Sequence, residues 1–340
     1  MMERESTLRV LFVIPGEAQG SSMIFARRQA VELSAHNVVV ECFHLRSRTS
    51  FRLLWSEWRR FHKAKGAFAP HVVHAHFGTI TALFAVLAAY PIPSVVTYRG
   101  SDLNSVPSAR GPRAILGRIF SQLAALRASR IVCVSRALRE RLWWRRNLVT
   151  ILPSGVNTDV FFPMAQAEAR AELGWNPEEL VVLFNAGHDA HNKRLDLAKQ
   201  SMERVAARLE VVMGNVPPER MPLFLNAADC LLVTSDAEGS PSIVQEAIAT
   251  NLPVVSVDVG DVAERLEGVS GTYIVSRDPA SLAIALNTVL KKRTRSDSRT
   301  RVHEISADSI ADQLTHLYRQ VVLATSPSEA AWNTTPSSQR

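Results

Sequence analysis

The stretch SDAEGSPSIVQEAIATNLPVVSVDVGD, residues 235–261, contains a polar loop, an amphipathic segment and a valine-rich run in succession. Ser240 and Pro241 predict a helix start, because serine is a good N-cap and proline is favoured at the first helical position. The buried face of that helix is predicted from apolar residues at helical spacing, namely Ile243, Val244, Ala247 and Ile248. The run PVVSVDV at 253–259 then predicts a strand buried on both faces. The stretch therefore predicts one unit of a parallel α/β sheet.

The same alternation of helix and strand extends along the chain on both sides of this unit. Continuous apolar runs predict strands at residues 9–15, 37–45, 71–77, 94–100, 130–135, 180–187, 209–214, 230–235 and 253–259. Amphipathic segments separate them, and a break rich in Pro, Gly and Asn interrupts the series at 151–163. We therefore expect an α/β fold of two doubly wound, Rossmann-like domains that face a central cleft. Their expected bounds are residues 1–160 and 161–324, followed by a flexible tail at 325–340.

Charge is spread unevenly between these two expected domains. Residues 1–160 contain 22 Lys/Arg and 9 Asp/Glu, whereas residues 161–340 contain 17 and 23. A basic half suits an anionic partner, which leaves nucleic acid, an anionic membrane and an anionic substrate open. The three distant cysteines predict reduced core thiols, and neither the N-terminal residues nor 77–93 has the pattern of a signal peptide or a bilayer span. These features predict a cytoplasmic protein.

Two glutamates flank the helix start in the quoted stretch. Glu238 is expected in the loop before the helix, and Glu246 about a turn and a half inside it. The N–H groups of Ser242 and Ile243 would carry the positive end of the helix dipole into the same space. Amides at that position suit an anionic group, whereas carboxylates accept hydrogen bonds from diols. The arrangement predicts a nucleotide-sugar site, although two solvated glutamates are the alternative for any such pair.

Two other loops follow predicted strands and point to the same cleft. The loop in NAGHDAHNKRLD, residues 185–196, contains four basic or titratable side chains, His188, His191, Lys193 and Arg194. Lysine and arginine are the side chains that bind diphosphates best, although solvated charge is the ordinary explanation of a basic loop. The loop PGEAQGSS at 15–22 offers Gly16 and Gly20 for close backbone approach, without the G-x-G-x-x-G spacing or a Walker lysine.

Taken together and in order, these residues resemble the retaining glycosyltransferases of family 4, which have the two-domain GT-B fold. The resemblance covers about residues 8–290, and its most specific element is E-x7-E, here Glu238 and Glu246. Similar family segments are AADCLLVTSDAEG, SRIVCVSRALRE, ILPSGVNTDVFFP and HVVHAHF. The resemblance implies a GT-B fold with the acceptor on the N-terminal domain and the donor on the C-terminal domain.

The resemblance also implies roles for individual residues. Glu238 would lie beside the donor sugar hydroxyls, and Lys193 would neutralise the departing diphosphate. Glu246 would hold the ribose diol. The remaining donor-binding candidates are His188 and Arg194 and the helix-start residues Gly239, Ser240, Ser242 and Ile243. Ser242 and Ile243 would offer backbone amides to the distal phosphate.

Three positions depart from the family pattern. His188 stands where the family usually has arginine, and Arg194 stands where it usually has glycine, so Arg194 is a candidate replacement for the missing guanidinium. In TYRG, Arg99 occupies the place of a histidine that often contacts the sugar. The candidates for the acceptor side or the cleft loops are Gly16, Gly20, His76 and Arg99. His74 and His76 lie two apart in a predicted strand and so face one way, which favours a structural or cleft role over metal binding.

The implied activity is transfer of a hexose-type sugar with retention, from a UDP- or GDP-type donor to a glycan or lipid-linked acceptor, in bacterial-type polysaccharide or glycolipid assembly. No cofactor or metal is expected, and the sequence lacks an obvious Asp-x-Asp motif. A front-face route and a covalent carboxylate intermediate both remain open. The alternatives are a non-catalytic glycan- or nucleotide-sugar-binding relative, a nucleotide-sugar epimerase of the same fold, and a glycosidase. Nucleic acid is not expected as a partner, because the basic residues are dispersed without a binding motif.

One helix of the basic half has the pattern of a membrane-surface helix. In FRLLWSEWRRFHKAKGAF, residues 51–68, an apolar stripe recurs at helical spacing and basic residues surround it. The stripe consists of Phe51, Leu54, Trp55, Trp58 and Phe61. A helix packed on a core is the alternative. The pattern, with RERLWWRRN at 139–147 as a second contact, predicts a peripheral protein on the inner face of an anionic membrane.

Overall fold

The computed structural model describes residues 7–18, 23–47, 50–105, 111–214 and 216–325. Within them the chain forms two parallel sheets, which confirms the expected pair of doubly wound, Rossmann-like units. The first sheet has the order β2-β1-β3-β4-β5-β6 and consists of β1 (Leu8–Pro15), β2 (Val38–Leu45), β3 (Val72–His76), β4 (Ser94–Tyr98), β5 (Arg130–Cys133) and β6 (Val149–Ile151). The second has the order β11-β10-β9-β7-β8 and consists of β7 (Val181–Gly187), β8 (Arg208–Met213), β9 (Cys230–Val233), β10 (Val254–Val257) and β11 (Tyr273–Val275).

Helices connect these strands. In the first domain they are α1 (Ile24–Ser34), α2 (Phe51–Phe68), α3 (Thr79–Ala89), α4 (Pro112–Arg127) and α5 (Arg136–Glu140). The helices that follow along the chain are α6 (Gln166–Leu173), α7 (Leu195–Met202), α8 (Met221–Ala227), α9 (Ser242–Ala249), α10 (Val262–Leu266), α11 (Pro279–Lys292) and α12 (Ala307–Thr325). None of the helices in the described ranges combines the length and apolarity needed to span a bilayer.

The direction of the crossovers decides which face of the first sheet each helix covers. From β2 to β5 the chain moves across the sheet in one direction, whereas it moves the opposite way from β1 to β2. Right-handed crossovers therefore put α2, α3 and α4 on one face and α1 on the other. The two separate cores agree, because Phe61 and Phe84 lie in one and Ala26 and Leu33 in the other.

The last helix returns to the first domain. Ile310, Leu314 and Tyr318 of α12 are buried in the same core as Val10 and Phe12 of β1. A bridge between Val156 and Ser306 brings the two crossing segments side by side. The expected second domain, 161–324, thus differs from the structure at its end, since α12 gains burial against the first sheet. The expected tail beyond Thr325 lies outside the described residues.

The structure differs from the sequence prediction in two local features. The strands β6 and β11 were not predicted, because both are partly exposed and three residues long, which is too short a run to indicate a strand. Ser240 is not the N-cap of α9, where Pro241 occupies that position. The Ser240 hydroxyl donates instead to Asp261 Oδ2 at 2.8 Å, and a hydrogen bond to a charged carboxylate is stronger than one between neutral groups.

The expected apolar stripe of α2 is divided between core and surface. Phe61 is fully buried against Phe43 and Phe84, whereas Trp55 is 61% exposed. Leu54 and Trp58 are half-buried against the same core. One side of α2 therefore packs on the sheet, which agrees with the alternative prediction of a helix packed on a core. The other side leaves large apolar residues exposed. The side chain of Phe51 lies outside the described residues.

Candidate active site

Two cavities open between the domains at the carboxyl ends of the strands, where doubly wound sheets bind ligands. The first, of about 390 Å³, is lined by Lys193 and Glu238 from the second domain and by Arg99 from the first; we call it the Glu238 cavity. The second, of about 400 Å³, is lined by Arg28 of α1 and by Ser242 and Glu246 of α9. We call it the Glu246 cavity. Each cavity is therefore made by both domains.

Lys193 and Glu238 form an ion pair in the Glu238 cavity. Lys193 Nζ donates to Glu238 Oε1 at 2.5 Å, and both side chains are largely buried. Lys193 lies in the loop after β7 and Glu238 in the loop after β9, two adjacent strands of the sheet. Because parallel strands end at the same edge, residues 45 apart in sequence meet there. The structure thus brings together the two residues for which catalytic roles are expected.

Hydrogen bonds hold these two loops in place. Asn192 Nδ2 donates to Ala237 O at 3.0 Å, and Thr234 Oγ1 donates to Lys193 O at 2.7 Å. From the first domain, Asn104 Nδ2 donates to Glu238 O at 3.0 Å. The backbone beside the ion pair is therefore fixed from both sides of the cleft.

The two domains touch at Gly239. A Cβ at this position would overlap the carbonyl oxygen of Arg99, so a side chain cannot be accommodated there. Gly100 lies on the other side of the contact, with φ +153°. Gly239 lines the Glu238 cavity, but its small size serves the approach of the two domains.

The first turn of α9 lies between the two cavities. Ser242 is exposed and lines the Glu246 cavity, while the Ile243 side chain is buried in the core. The first turn of a helix has N–H groups without intrahelical acceptors and carries positive potential. Ser240, just before this turn, also accepts a hydrogen bond from Gln245 Nε2 at 2.8 Å, so its hydroxyl is engaged within the domain.

The carboxyl group of Glu246, which lines the Glu246 cavity, has a raised pKa. Burial raises the pKa of its carboxyl to about 7, and the nearby Arg28 guanidinium opposes part of that rise. At neutral pH the carboxyl is therefore close to half-protonated. A ligand hydroxyl that donates to the carboxylate would favour the charged form.

Arg99 supplies a cation from the wall of the first domain. Its Nη1 donates to Ser154 Oγ at 2.9 Å, its Nη2 lies 3.0 Å from His76 Nδ1, and the guanidinium lies over the Phe25 ring. Burial lowers the pKa of Arg99 to about 10, so it remains charged at neutral pH. With Lys193 it gives the Glu238 cavity a cation on each domain.

His76 does not lie on the cleft surface, where it was expected. It is fully buried at the end of β3, beneath Arg99 and against the ring of His74. His74 contacts Tyr318 Oη at 2.5 Å and Thr97 Oγ1 at 2.7 Å. Burial and the Arg99 charge hold the pKa of both histidines well below its usual range, so both are neutral. In the ranges the structure describes, no group of three His, Cys, Asp or Glu is arranged for a metal.

Three further candidates lie away from both cavities. His188 is exposed, and its ring covers Gly214, where a Cβ would overlap it. Arg194 donates to Asp196 Oδ1 at 2.9 Å and to Asp236 Oδ1 at 3.2 Å, because these carboxylates lie nearer than the cleft. Its guanidinium therefore does not stand beside Lys193. Gly16 donates its N–H to Leu45 O at 3.0 Å at the edge of the sheet, and Gly20 lies outside the described residues.

The sequence interpretation missed several residues of the first domain. Asp102 accepts hydrogen bonds from the N–H groups of Gly78, Arg99 and Gly100, which fixes the loop after β4. Asn104 and Phe77 line the Glu238 cavity. The sequence contains a signal for these residues: the polar segment RGSDLN directly follows a predicted strand, as the other loops of the site do.

Comparison with known proteins agrees with this architecture. A family model described as Glycosyltransferase Family 4 matches residues 17–160, and one described as Glycosyl transferases group 1 matches residues 161–292. The chain is also similar to a Bacillus subtilis protein named as the teichuronic acid biosynthesis glycosyltransferase TuaC. The two are 26% identical over 218 residues, which is 57% of this chain and 54% of that protein. The chain spans about half the length of the curated relatives it matches.

Solved structures share the whole fold at low identity. Sucrose-phosphate synthase from Thermosynechococcus elongatus matches with a TM-score of 0.76 and 16% identity, over 93% of this chain and 100% of that one. HepE from Anabaena, crystallised with UDP and glucose, matches with a TM-score of 0.71 and 16% identity. The latter match covers 92% of this chain and 100% of HepE. These likenesses show that the fold is that of GT-B glycosyltransferases.

Proposed function

Because the chain belongs to glycosyltransferase family 4, a retaining family, we propose that it transfers a hexose-type sugar from a nucleotide-sugar donor with retention. The observation that carries this proposal is the meeting of Lys193 and Glu238 beside the first turn of α9. A cation, a carboxylate and a positive helix end close to one another suit a sugar diphosphate. The carboxylate accepts from hydroxyls while the cation and amides attract phosphate.

In the proposed reaction the bond between the anomeric carbon and the diphosphate oxygen breaks, and a bond to the acceptor hydroxyl oxygen forms. The acceptor proton passes to the departing diphosphate. Negative charge grows on the leaving oxygen, and Lys193 with the end of α9 stabilises it. Arg99, as the second cation of the cavity, adds to the same positive potential.

The ion pair favours a front-face route over a covalent intermediate. A carboxylate acts as a nucleophile through an oxygen that is free to approach the anomeric carbon. Glu238 Oε1 accepts from Lys193 Nζ at 2.5 Å, and this ion pair lowers the nucleophilicity of the whole carboxylate and restricts its movement. We therefore assign Glu238 to holding the sugar hydroxyls and orienting Lys193.

The donor's nucleotide is proposed to occupy the Glu246 cavity. Glu246 would accept hydrogen bonds from the ribose diol, and Ser242 and Ile243 would offer their amides to the distal phosphate. HepE, which shares the fold, was crystallised with UDP. We propose a UDP-type donor first, with GDP-type donors as the alternative.

The proposed acceptor is a glycan or a lipid-linked glycan used in polysaccharide or glycolipid assembly. Its support is the name of the similar protein TuaC, which refers to teichuronic acid biosynthesis. The basic character of residues 1–160 also favours an anionic acceptor or an anionic surface that carries one.

The decisive experiment incubates the full chain with a panel of UDP- and GDP-sugars and measures nucleoside diphosphate release. We expect release with at least one donor, and a product whose anomeric configuration by NMR matches the donor. Tight donor binding without release over the panel would identify a non-catalytic binding relative. Conversion of the donor into its C2 epimer would identify an epimerase. Either result would overturn the proposal.

A further inference from the structure

Large apolar side chains crowd the outer face of α2, α3 and α4. Trp55 is 61% exposed, Ile115 53% and Leu116 48%. Leu87, Ile119 and Leu123 lie on the same three helices and are also exposed. We call these six residues the α2–α4 surface. Single exposed apolar residues are ordinary on a protein, whereas a cluster on adjacent helices marks an interaction site.

The helix α4 shows that this exposure is not incidental. Ile115, Ile119 and Leu123 recur every four residues and form one stripe along the helix, and all three are exposed. The side that packs on the core instead uses small residues, Ala124 and Ala125. A helix that only covers a sheet is expected to bury its large apolar residues and to expose polar ones, and α4 does the reverse.

A groove adds depth to the α2–α4 surface. It has a volume of about 340 Å³ and lies between α2 and α3, lined by Leu54, Trp55, Trp58, Ile80, Leu83, Phe84 and Leu87. Its lining contains no charged side chain. An aliphatic chain or an apolar side chain could enter it, while water gains no hydrogen bonds there.

Charge identifies the kind of partner. Residues 51–127 contain ten Lys/Arg and only two Asp/Glu, and both acids, Glu57 and Asp102, are buried. On α2, Arg52, Arg59 and Lys63 are exposed. On the opposite face of the sheet, α1 and α12 contain three arginines and three acids. Positive charge therefore predominates over negative charge on the segment that exposes the apolar stripe, whereas the two signs balance on α1 and α12.

We propose that the α2–α4 surface docks on an anionic lipid bilayer. Exposed tryptophan, leucine and isoleucine would enter the interface, and the surrounding cations would contact anionic headgroups. A symmetric contact with a second copy is disfavoured, because it would place two strongly basic surfaces against each other. A nucleic acid would match the charge but would leave the apolar stripe in water.

The α2–α4 surface lies close to the Glu238 cavity, so membrane docking would bring the proposed active site to lipid-linked acceptors. Phe77 lines the Glu238 cavity, and α3 with its groove begins two residues later at Thr79. A bilayer on the α2–α4 surface would thus hold lipid headgroups near the mouth of that cavity. This use rests on the proposed function, whereas the docking itself is measured without any reaction.

The test is flotation of the full chain with vesicles of phosphatidylcholine, with and without phosphatidylglycerol. We expect binding to vesicles that contain phosphatidylglycerol, weakened about tenfold or more by their absence or by high salt. The triple variant Trp55→Ser, Ile115→Ser, Leu116→Ser should bind at least about tenfold more weakly. The matched control is Val31→Ser, Ile284→Ser, Leu323→Ser, whose residues are 71%, 69% and 70% exposed elsewhere, and it should bind as the wild type does.

A second pair of variants tests the charge. Arg52→Gln, Arg59→Gln, Lys63→Gln should weaken binding, while Lys199→Gln, Lys291→Gln, Lys292→Gln on the second domain should not. Circular dichroism confirms that each variant is folded. Equal binding to neutral vesicles, no binding at low salt, or equal losses in test and control variants would each overturn the proposal. A wild-type dimer that the serine triple variant dissociates, without vesicle binding, would assign the surface to self-association instead.

Discussion

At the scale of single residues, the proposed chemistry depends on charges that the fold keeps close together. Lys193 and Glu238 are each half of an ion pair in a largely buried cavity, and neither belongs to a core cluster. Removing one of them leaves the other's charge without its partner, but it opens no cavity in the apolar core. Effects on turnover and on folding should therefore separate.

We expect Lys193→Ala to lower turnover at saturating donor by about 10²-fold or more, since loss of a positioned charge-stabilising group typically has that effect. Lys199→Ala, at an exposed position of α7, is the control and should leave turnover unchanged. Wild-type turnover of Lys193→Ala with a normal unfolding midpoint would show that Lys193 takes no part in the transition state.

Glu246 should make donor binding depend on pH. Its pKa of about 7 means that the accepting carboxylate becomes available as pH rises through 7, so donor affinity should increase from pH 6 to pH 8. Glu246→Ala should weaken donor binding by about 1–3 kcal/mol at pH 8. Calorimetry of Glu246→Gln should show affinity that no longer changes over this range. An unchanged pH dependence in that variant would exclude Glu246 as the titrating group.

The same raised pKa has a consequence for stability. Between the ordinary pKa of glutamate and about 7, the folded chain holds a proton that the unfolded chain has lost. Glu246 therefore makes the free energy of unfolding fall as pH rises through this window, and Glu246→Gln should be the more stable protein above pH 7, by roughly 1–3 kcal/mol. Urea unfolding of both proteins at pH 5 and pH 8 measures the difference.

At the scale of elements, replacing glycine by alanine is expected to destabilise the protein in one loop and to stabilise it in one helix. Gly239 lies in the loop before α9, where a Cβ would overlap the backbone of the first domain. Gly66 lies inside α2 with open space around it. Only the first position requires glycine, because helix interiors favour alanine.

Gly239→Ala should lower both the activity and the free energy of unfolding, the latter by about 1–3 kcal/mol, since the two domain backbones must separate locally. Gly66→Ala should raise the free energy of unfolding by about 0.5–1 kcal/mol and leave activity unchanged. Denaturant melts and donor turnover of the two single variants provide the comparison. A neutral Gly239→Ala would mean that the close contact with Arg99 does not form.

At the scale of the whole molecule, α12 joins the end of the chain to the first sheet. Tyr318 is fully buried, and its hydroxyl contacts His74 Nδ1 below the Arg99 wall of the cleft. Tyr318→Phe would leave that nitrogen without its partner in a dry core and should cost about 1–3 kcal/mol of unfolding free energy. Leu323→Ser on the same helix is 70% exposed and should change it by less than about 0.5 kcal/mol. Thermal melts that show equal losses would place α12 outside the core of the first domain.

The features of the fold and of the site that could be predicted from the sequence are those indicated by residues close together in the chain. The nine predicted runs correspond to β1–β5 and β7–β10, because strands of a parallel sheet covered by helices are largely apolar, even at the partly exposed edges β2 and β8. Glu238 and Lys193 could be assigned to one edge, because parallel strands bring post-strand loops together. The strands β6 and β11 are too short to form such a run, and the return of α12 to the first sheet depends on contacts between residues that are distant in sequence.

The amino-acid sequence was sufficient to predict the two α/β units, the basic character of the first half and the presence of carboxylates and cations in post-strand loops. Each follows from a periodicity or a composition that neighbouring residues carry. Three features became apparent from the folded chain alone: Arg194 pairs with Asp196 and Asp236, His76 lies beneath Arg99, and α4 exposes its large apolar residues. Those outcomes depend on which surfaces meet in space, and competition among distant partners for one side chain has no signature in local spacing.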